Sequence, residues 1–282
     1  MNLSDISTVK SILAKNGFTF KKSLGQNFLI NPTVCPQMAE HSADSNTGVL
    51  EIGPGIGVLT SSLAQIAKKV VAIELDERLR PVLSQTLSEF GNTKVIFGDA
   101  MKLDLKQIIA DEFANCNRVV VCANLPYYIT SPIIMMLLES KLPIKSITVM
   151  VQKEAAERLC AKPGEKECGA ISVAVSYYSD PELLFFVDRD SFLPAPNVDS
   201  AVIKLNVLPE PKVKVDDEEK FFKFIKACFA QRRKTLTNTV SSTLGIPKDK
   251  IISALEQCSL PPTVRAEQLP IETLAQLSDL LM

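Results

Sequence analysis

Glu51-Ile52-Gly53-Pro54-Gly55-Ile56-Gly57 follows an apolar run and precedes a helix-period segment. Glycines at such a junction permit a tight turn and let a ligand approach the backbone closely. The spacing is GxGxG rather than GxGxxG, so the loop alone also fits a turn that holds nothing. Two acids strengthen the ligand reading. Glu74 ends the next strand-like run, where a carboxylate can accept both hydroxyl protons of a ribose. Asp99 follows a third run, placed to accept a proton from an adenine amine. Glycine loop (Gly53, Gly55), ribose acid and adenine acid together describe an adenosine-containing ligand. Pro54 removes an N–H that a diphosphate would use, and Glu51 adds negative charge nearby. That combination favours a cationic sulfonium and ammonium, so the expected cofactor is S-adenosyl-L-methionine rather than a nicotinamide dinucleotide.

After a fourth run comes Asn124-Leu125-Pro126-Tyr127. The exocyclic amine of adenine is a poor nucleophile because its lone pair is delocalised into the ring. A site that methylates it must accept its N–H bonds and hold the nitrogen in line with a sulfonium methyl. Asn124 offers an amide oxygen and Leu125 a main-chain carbonyl, with Pro126 fixing the turn that aims both. Tyr127 can stack on a flipped-out base, worth about 1–3 kcal/mol against an extrusion cost of a few kcal/mol. In isolation the tetrapeptide also fits an Asx-type turn with a core tyrosine; its place after an adenosine-binding half-sheet favours the catalytic reading.

One sheet edge must gather these residues. Short apolar, β-branched runs at 48–52, 69–74, 94–98, 118–123 and 146–151 alternate with helix-period segments such as 58–68 and 77–90. This is the pattern of an α/β protein, a mostly parallel, doubly wound sheet with its ligand at the carboxyl ends of the strands. Two later runs, 183–187 and 201–207, predict an antiparallel pair closing the sheet, while 171–177 fits either a strand or a short buried helix. Prolines at 209 and 211 mark a linker, and apolar spacing beyond it is helical. The expected domains are 1–208, carrying the cofactor, and 209–282, a small all-α unit.

Composition excludes other chemistry. The chain has 282 residues, 46% hydrophobic and 22% charged, with formal charge −1, enough for a disulfide-free core. A single histidine, His41, argues against a histidine triad or metal cluster, and seven scattered cysteines point to reduced thiols. No export signal or bilayer-length apolar run is visible, so the expected location is cytoplasmic, away from membranes.

The loop and tetrapeptide, together with Lys22-Ser23-Leu24-Gly25-Gln26-Asn27-Phe28-Leu29, Phe192-Leu193-Pro194-Ala195-Pro196-Asn197-Val198-Asp199-Ser200 and Phe229-Ala230-Gln231-Arg232-Arg233-Lys234-Thr235-Leu236, resemble the ribosomal RNA adenine dimethyltransferases. The motifs keep the family's order from about residue 20 to 240. The resemblance implies a Rossmann-like class I methyltransferase sheet with an all-α C-terminal domain. It also implies that Asn27 and Leu29, with neighbouring Gln26, lie over S-adenosyl-L-methionine, that Gly53 with Gly55 lies against it, and that Glu74 and Asp99 hold its adenosine. Asn124 would sit between cofactor and target, and Phe192 would meet the base opposite Tyr127. The implied reaction transfers two methyl groups to N6 of each of two adjacent adenines, in the hairpin loop near the 3′ end of small-subunit rRNA. The implied partner is that rRNA in a pre-ribosomal particle, met by a monomer, with no metal.

Lysines and arginines gather near the arm, including Lys22, and near the start of the helical tail, including Arg232, Arg233 and Lys234. The preferred reading is that a cleft between the domains contacts phosphates while base identity is read at Asn124. For the Arg232 to Lys234 run an alternative is complementation of a helix C-terminus. Three functional alternatives remain: a nicotinamide oxidoreductase, an assembly factor that binds RNA without catalysis, and a large-subunit rRNA methyltransferase of the antibiotic-resistance type.

Overall fold

The structure, a computed structural model, describes residue 3 and residues 5–18 and 27–282. Two compact units emerge, one of Met1–Ala156 with Glu182–Val207, the other of Glu157–Pro181 with Leu208–Met282.

The first unit is built on strands β2 (Thr47–Ile52), β3 (Lys69–Glu74), β4 (Thr93–Phe97), β5 (Arg118–Asn124) and β6 (Ser146–Gln152), with β7 (Ser179–Val187) and β9 (Ser200–Val207) completing a seven-stranded sheet. Its order is β4-β3-β2-β5-β6-β9-β7. The first five strands run parallel and β9 runs antiparallel to β6. Val70, Val71, Val120, Val121, Ile147 and Val149 are buried, the near-continuous apolar signature of strands covered on both faces. Because β3 and β5 flank β2 on opposite sides, the carboxyl end of β2 lies at the reversal of strand order, where open α/β sheets leave a crevice. A separate two-stranded ladder pairs β1 (Phe28–Leu29) with β8 (Phe192–Leu193), Leu29 opposite Phe192.

Helices α1 (Ile6–Lys15) and α2 (Val34–Ser42) precede the sheet; α3 (Val58–Ile66), α4 (Arg80–Thr86), α5 (Leu105–Glu112) and α6 (Thr130–Glu139) connect its strands. Met38 of α2 and Leu63 of α3 are fully buried in the core beside Val49 and Val70. The helix expected over 77–90 is a 3-10 turn, Glu77–Leu79, followed by the shorter α4. Asp76 caps the turn, Pro81 lies in the first turn of α4, and helical bonding stops at Leu87.

Helix α7 (Lys153–Leu159) begins in the first unit; α8 (Ala170–Tyr178), α9 (Glu218–Cys228), α10 (Leu236–Leu244), α11 (Lys248–Gln257) and α12 (Ile271–Leu281) form the second. The 171–177 ambiguity resolves as helix. Apolar alternation there reflects burial nearly all round, with Val173, Val175, Tyr177 and Tyr178 inside. Tyr177 and Tyr178 pack on Phe221 and Phe222, and both hydroxyls donate to Glu218, at 3.4 and 2.6 Å. This packing places α8 with the C-terminal helices, so the chain passes between units at 156/157, 181/182 and 207/208 rather than once at 208. Among the described residues no helix is long and apolar enough to cross a membrane.

Candidate active site

One cleft in the first unit is lined by Asn27, Leu29, Gly53, Gly55, Glu74, Asp99, Asn124, Leu125, Pro126, Tyr127 and Phe192. Residues from six separate stretches of sequence thus meet around the carboxyl ends of β2, β3, β4 and β5. Lys22 and Gln26 lie outside the described residues.

The glycine loop turns sharply. Gly53 and Gly55 have φ of 73° and 58°, the left-handed region that side chains rarely enter. A Cβ at Gly55 would also come within 3.2 Å of the Phe28 ring, so this residue must be small for β1 to close against the loop. The Gly53 N–H donates to the Ile73 carbonyl at 2.9 Å, fixing the loop to β3.

Glu74 is buried, and its carboxylate accepts the N–H groups of Gly55 at 3.1 Å and Asp76 at 2.7 Å. Burial raises its pKa, with both hydrogen bonds opposing the rise. A carboxylate has about four acceptor directions, so two N–H contacts leave room for a pair of hydroxyl donors. Asp99 is held by the Met101 N–H at 3.0 Å and lies 3.5 Å from the Lys102 ammonium. The residues Leu75 and Met101, close behind these acids in sequence, line the same cleft at 53% and 39% exposure, apolar surface for a planar ring. Sequence reading missed both. An apolar side chain just beyond each strand-end acid was the available signal.

Glu51 departs from its expected role as a standing negative charge. Its side chain is 1% exposed, Oε2 has no hydrogen-bond partner among the described residues, and burial pushes its pKa up to about 8, with the Thr60 hydroxyl opposing. At neutral pH it is therefore mostly protonated. Burial likewise raises the neighbouring thiols, Cys122 to about 12 and Cys35 upward, so neither is a ready nucleophile.

Asn124 ends β5, half-buried, and its carboxamide makes no hydrogen bond to a described residue, leaving its oxygen free to accept. The Leu125 N–H donates to the Met150 carbonyl at 3.2 Å, and the Pro126 carbonyl accepts from the Ile129 N–H at 3.1 Å and the Thr130 hydroxyl at 3.2 Å. Those bonds hold the turn between β5 and α6. The Tyr127 and Ser200 hydroxyls share a 2.7 Å hydrogen bond, tying the turn to the start of β9. Phe192 is buried, and its pairing with Leu29 brings arm and Phe192 segment to one wall of the cleft. A two-residue ladder between such distant segments leaves no periodic trace in sequence.

Arg232, Arg233 and Lys234 belong to the second unit. They occupy the turn between α9 and α10, exposed, immediately before Thr235, whose hydroxyl caps α10. They therefore stand at the positive end of a helix, and complementation of a helix C-terminus does not account for them.

Residues 17–281 match the family described as Ribosomal RNA adenine dimethylase. The chain is 49% identical over 287 residues to the Ribosomal RNA small subunit methyltransferase A of Bacillus cereus (strain AH187), covering 99% of this chain and 98% of that protein. Identity and coverage are the same for the protein of that name from Bacillus anthracis (strain A0248). Among solved structures, a dimethyladenosine transferase from Plasmodium falciparum matches with TM-score 0.73 and 28% identity, covering 89% of this chain and 95% of that one. The 23S rRNA methyltransferase ErmE matches with TM-score 0.69 and 26% identity, covering 90% and 99%. The likeness extends through the sheet and the C-terminal helices, which together form a class I methyltransferase fold with a helical extension. The chain belongs to the ribosomal RNA adenine dimethylase family.

Proposed function

We propose that the chain uses S-adenosyl-L-methionine to dimethylate N6 of each of two adjacent adenines in the hairpin loop near the 3′ end of small-subunit rRNA, within a pre-ribosomal particle. The observation that carries this reading is the meeting of Glu74, Asp99 and Asn124 at successive strand ends around one cleft. The residues fit the cofactor. Glu74 has acceptor capacity for a ribose, Asp99 for an adenine amine, Leu75 and Met101 offer apolar surface to a ring, and Asn27, Leu29, Gly53 and Gly55 line the remaining wall. The orphaned Oε2 of Glu51 fits a cationic neighbour, which would draw that carboxyl to its charged form.

When bound, S-adenosyl-L-methionine supplies an electrophilic methyl group on its sulfonium. The protein's part is positioning. The Asn124 amide oxygen and the Leu125 carbonyl accept from the target amine, orienting its nitrogen lone pair. Tyr127 and Phe192 hold the base by its faces, and the Ser200 hydrogen bond fixes the tyrosine's tilt. Arg232, Arg233 and Lys234 contact phosphate, and the helical unit that carries them serves as the RNA-binding domain. Small-subunit substrate choice is supported by 49% identity over nearly the full length of proteins named for that subunit, against 26% to the 23S enzyme.

The test is incubation with labelled S-adenosyl-L-methionine and undermethylated small and large ribosomal subunits, then mapping of the label. N6,N6-dimethyladenine at two adjacent small-subunit positions is expected; label confined to the large subunit overturns the substrate assignment.

A further inference from the structure

Among the exposed large hydrophobic residues of the described chain, Leu75, Met101 and Tyr128 line the same cleft. Leu75 and Met101 accompany the acids assigned to the cofactor. Tyr128 lies at the other end, directly after the Asn124 to Tyr127 turn, and neither the cofactor nor the target base accounts for it. It is 59% exposed, and among the described residues its ring meets no other ring and its hydroxyl has no hydrogen-bond partner. Tyr127, by contrast, is half-buried and pinned to Ser200. The backbone beneath Tyr128 is fixed on both sides: the Pro126 carbonyl accepts two hydrogen bonds across the turn, and Leu125 and Thr130 are buried. A solvated aromatic ring is thus presented on a rigid turn at the mouth of the cleft.

Resting on the reading of the substrate as a loop adenine, we propose that Tyr128 is a positioning residue that stacks on the nucleotide next to the target. Extruding one base from a loop strips a stacking partner from its neighbour and leaves one face of that neighbour bare. A flat, apolar ring beside the extrusion site can cover that face. It loses little conformational freedom on doing so, because tyrosine has only two side-chain torsions and this one stands on an ordered turn. Such contact is tolerant of base identity, since every base has a π-face, so Tyr128 adds hold and alignment rather than sequence choice.

The test uses a hairpin RNA of the small-subunit 3′ end with 2-aminopurine at the position adjoining the target adenine. With wild-type protein and with Tyr128→Phe, the probe is quenched at saturation. With Tyr128→Ala and with Tyr128→Leu, which keeps apolar bulk without a ring plane, quenching is lost and RNA affinity falls about 5- to 100-fold. Protection of all four proteins against thermal unfolding by S-adenosylhomocysteine is equal, which separates loss of stacking from loss of fold. If Tyr128→Ala keeps both the quench and the affinity, the stacking role is wrong while the substrate reading stands. If wild-type protein neither binds nor methylates the hairpin or the small subunit, the substrate reading fails and takes this proposal with it.

Discussion

Asn124 is useful because no described residue satisfies its side chain. Its free carboxamide sits on a turn held by backbone bonds, so its replacement changes chemistry more than fold. Asn124→Ala is expected to lower the methyl-transfer rate at least about a hundredfold while leaving the melting temperature and S-adenosylhomocysteine binding near wild type. A comparable loss of melting temperature would mark it as structural. Glu51 makes a different prediction. Its folded-state pKa, about 8, lies above the ordinary carboxylate value of 4.5, so between these pH values the native state holds more protons than the unfolded one. Stability from this group is complete below the lower value and is lost as pH rises towards the upper, at up to about 1.4 kcal/mol per pH unit. Glu51→Gln should remove that slope, giving a cofactor-free protein more stable than wild type at pH 8 but not at pH 5, as read by denaturant melts. The meeting of Glu74, Asp99 and Asn124 around one cleft was legible in sequence because a polar residue at or just past the end of an apolar run stands out. The burial of Glu51 was not legible, since it depends on Cys35, Thr60 and Cys122 converging from three other elements.

At the scale of elements, the parallel strands and their order of appearance could be read from composition, as could the helical tail. Ladders of two residues could not, and neither could the fate of 171–177, whose helix is decided by aromatic packing from α9. The hydrogen bond between Tyr127 and Ser200 links the turn after β5 to β9. Tyr127→Phe and Ser200→Ala should each cost about 0.5–1.5 kcal/mol, with the double variant costing less than their sum. Strict additivity would show that the bond contributes nothing. The turn before α10 yields an opposite sign. Cations at a helix N-terminus are unfavourable by about 0.3–1 kcal/mol. Arg233→Gln with Lys234→Gln should therefore leave stability unchanged or raised while weakening RNA binding and reducing the slope of log affinity against log salt by about one per lost contact. A variant that is destabilised, with unaltered salt slope, would return these residues to a structural role.

Across the whole molecule, a formal charge of −1 conceals a division of labour. The division is local rather than a difference in net charge between the units: Glu51, Glu74 and Asp99 line the cleft of the sheet unit, and Arg232, Arg233 and Lys234 stand together in the helical unit. The existence of two units was readable from the change in periodicity near residue 209. Their repeated exchange of chain was not, because the residues of 157–181 carry no compositional mark of the partner helices they join. This interleaving also has an order in time. Protein synthesis delivers Asn27 and Leu29 early, Glu74, Asp99 and Asn124 in the middle, and Phe192 only after residues of the second unit have been made. The β1–β8 pairing that completes the cleft wall cannot form until then. A chain stalled on the ribosome before Phe192 would carry every acid assigned to the cofactor and still lack the β1–β8 wall of the cleft, so the complete cleft arrives late in translation rather than strand by strand.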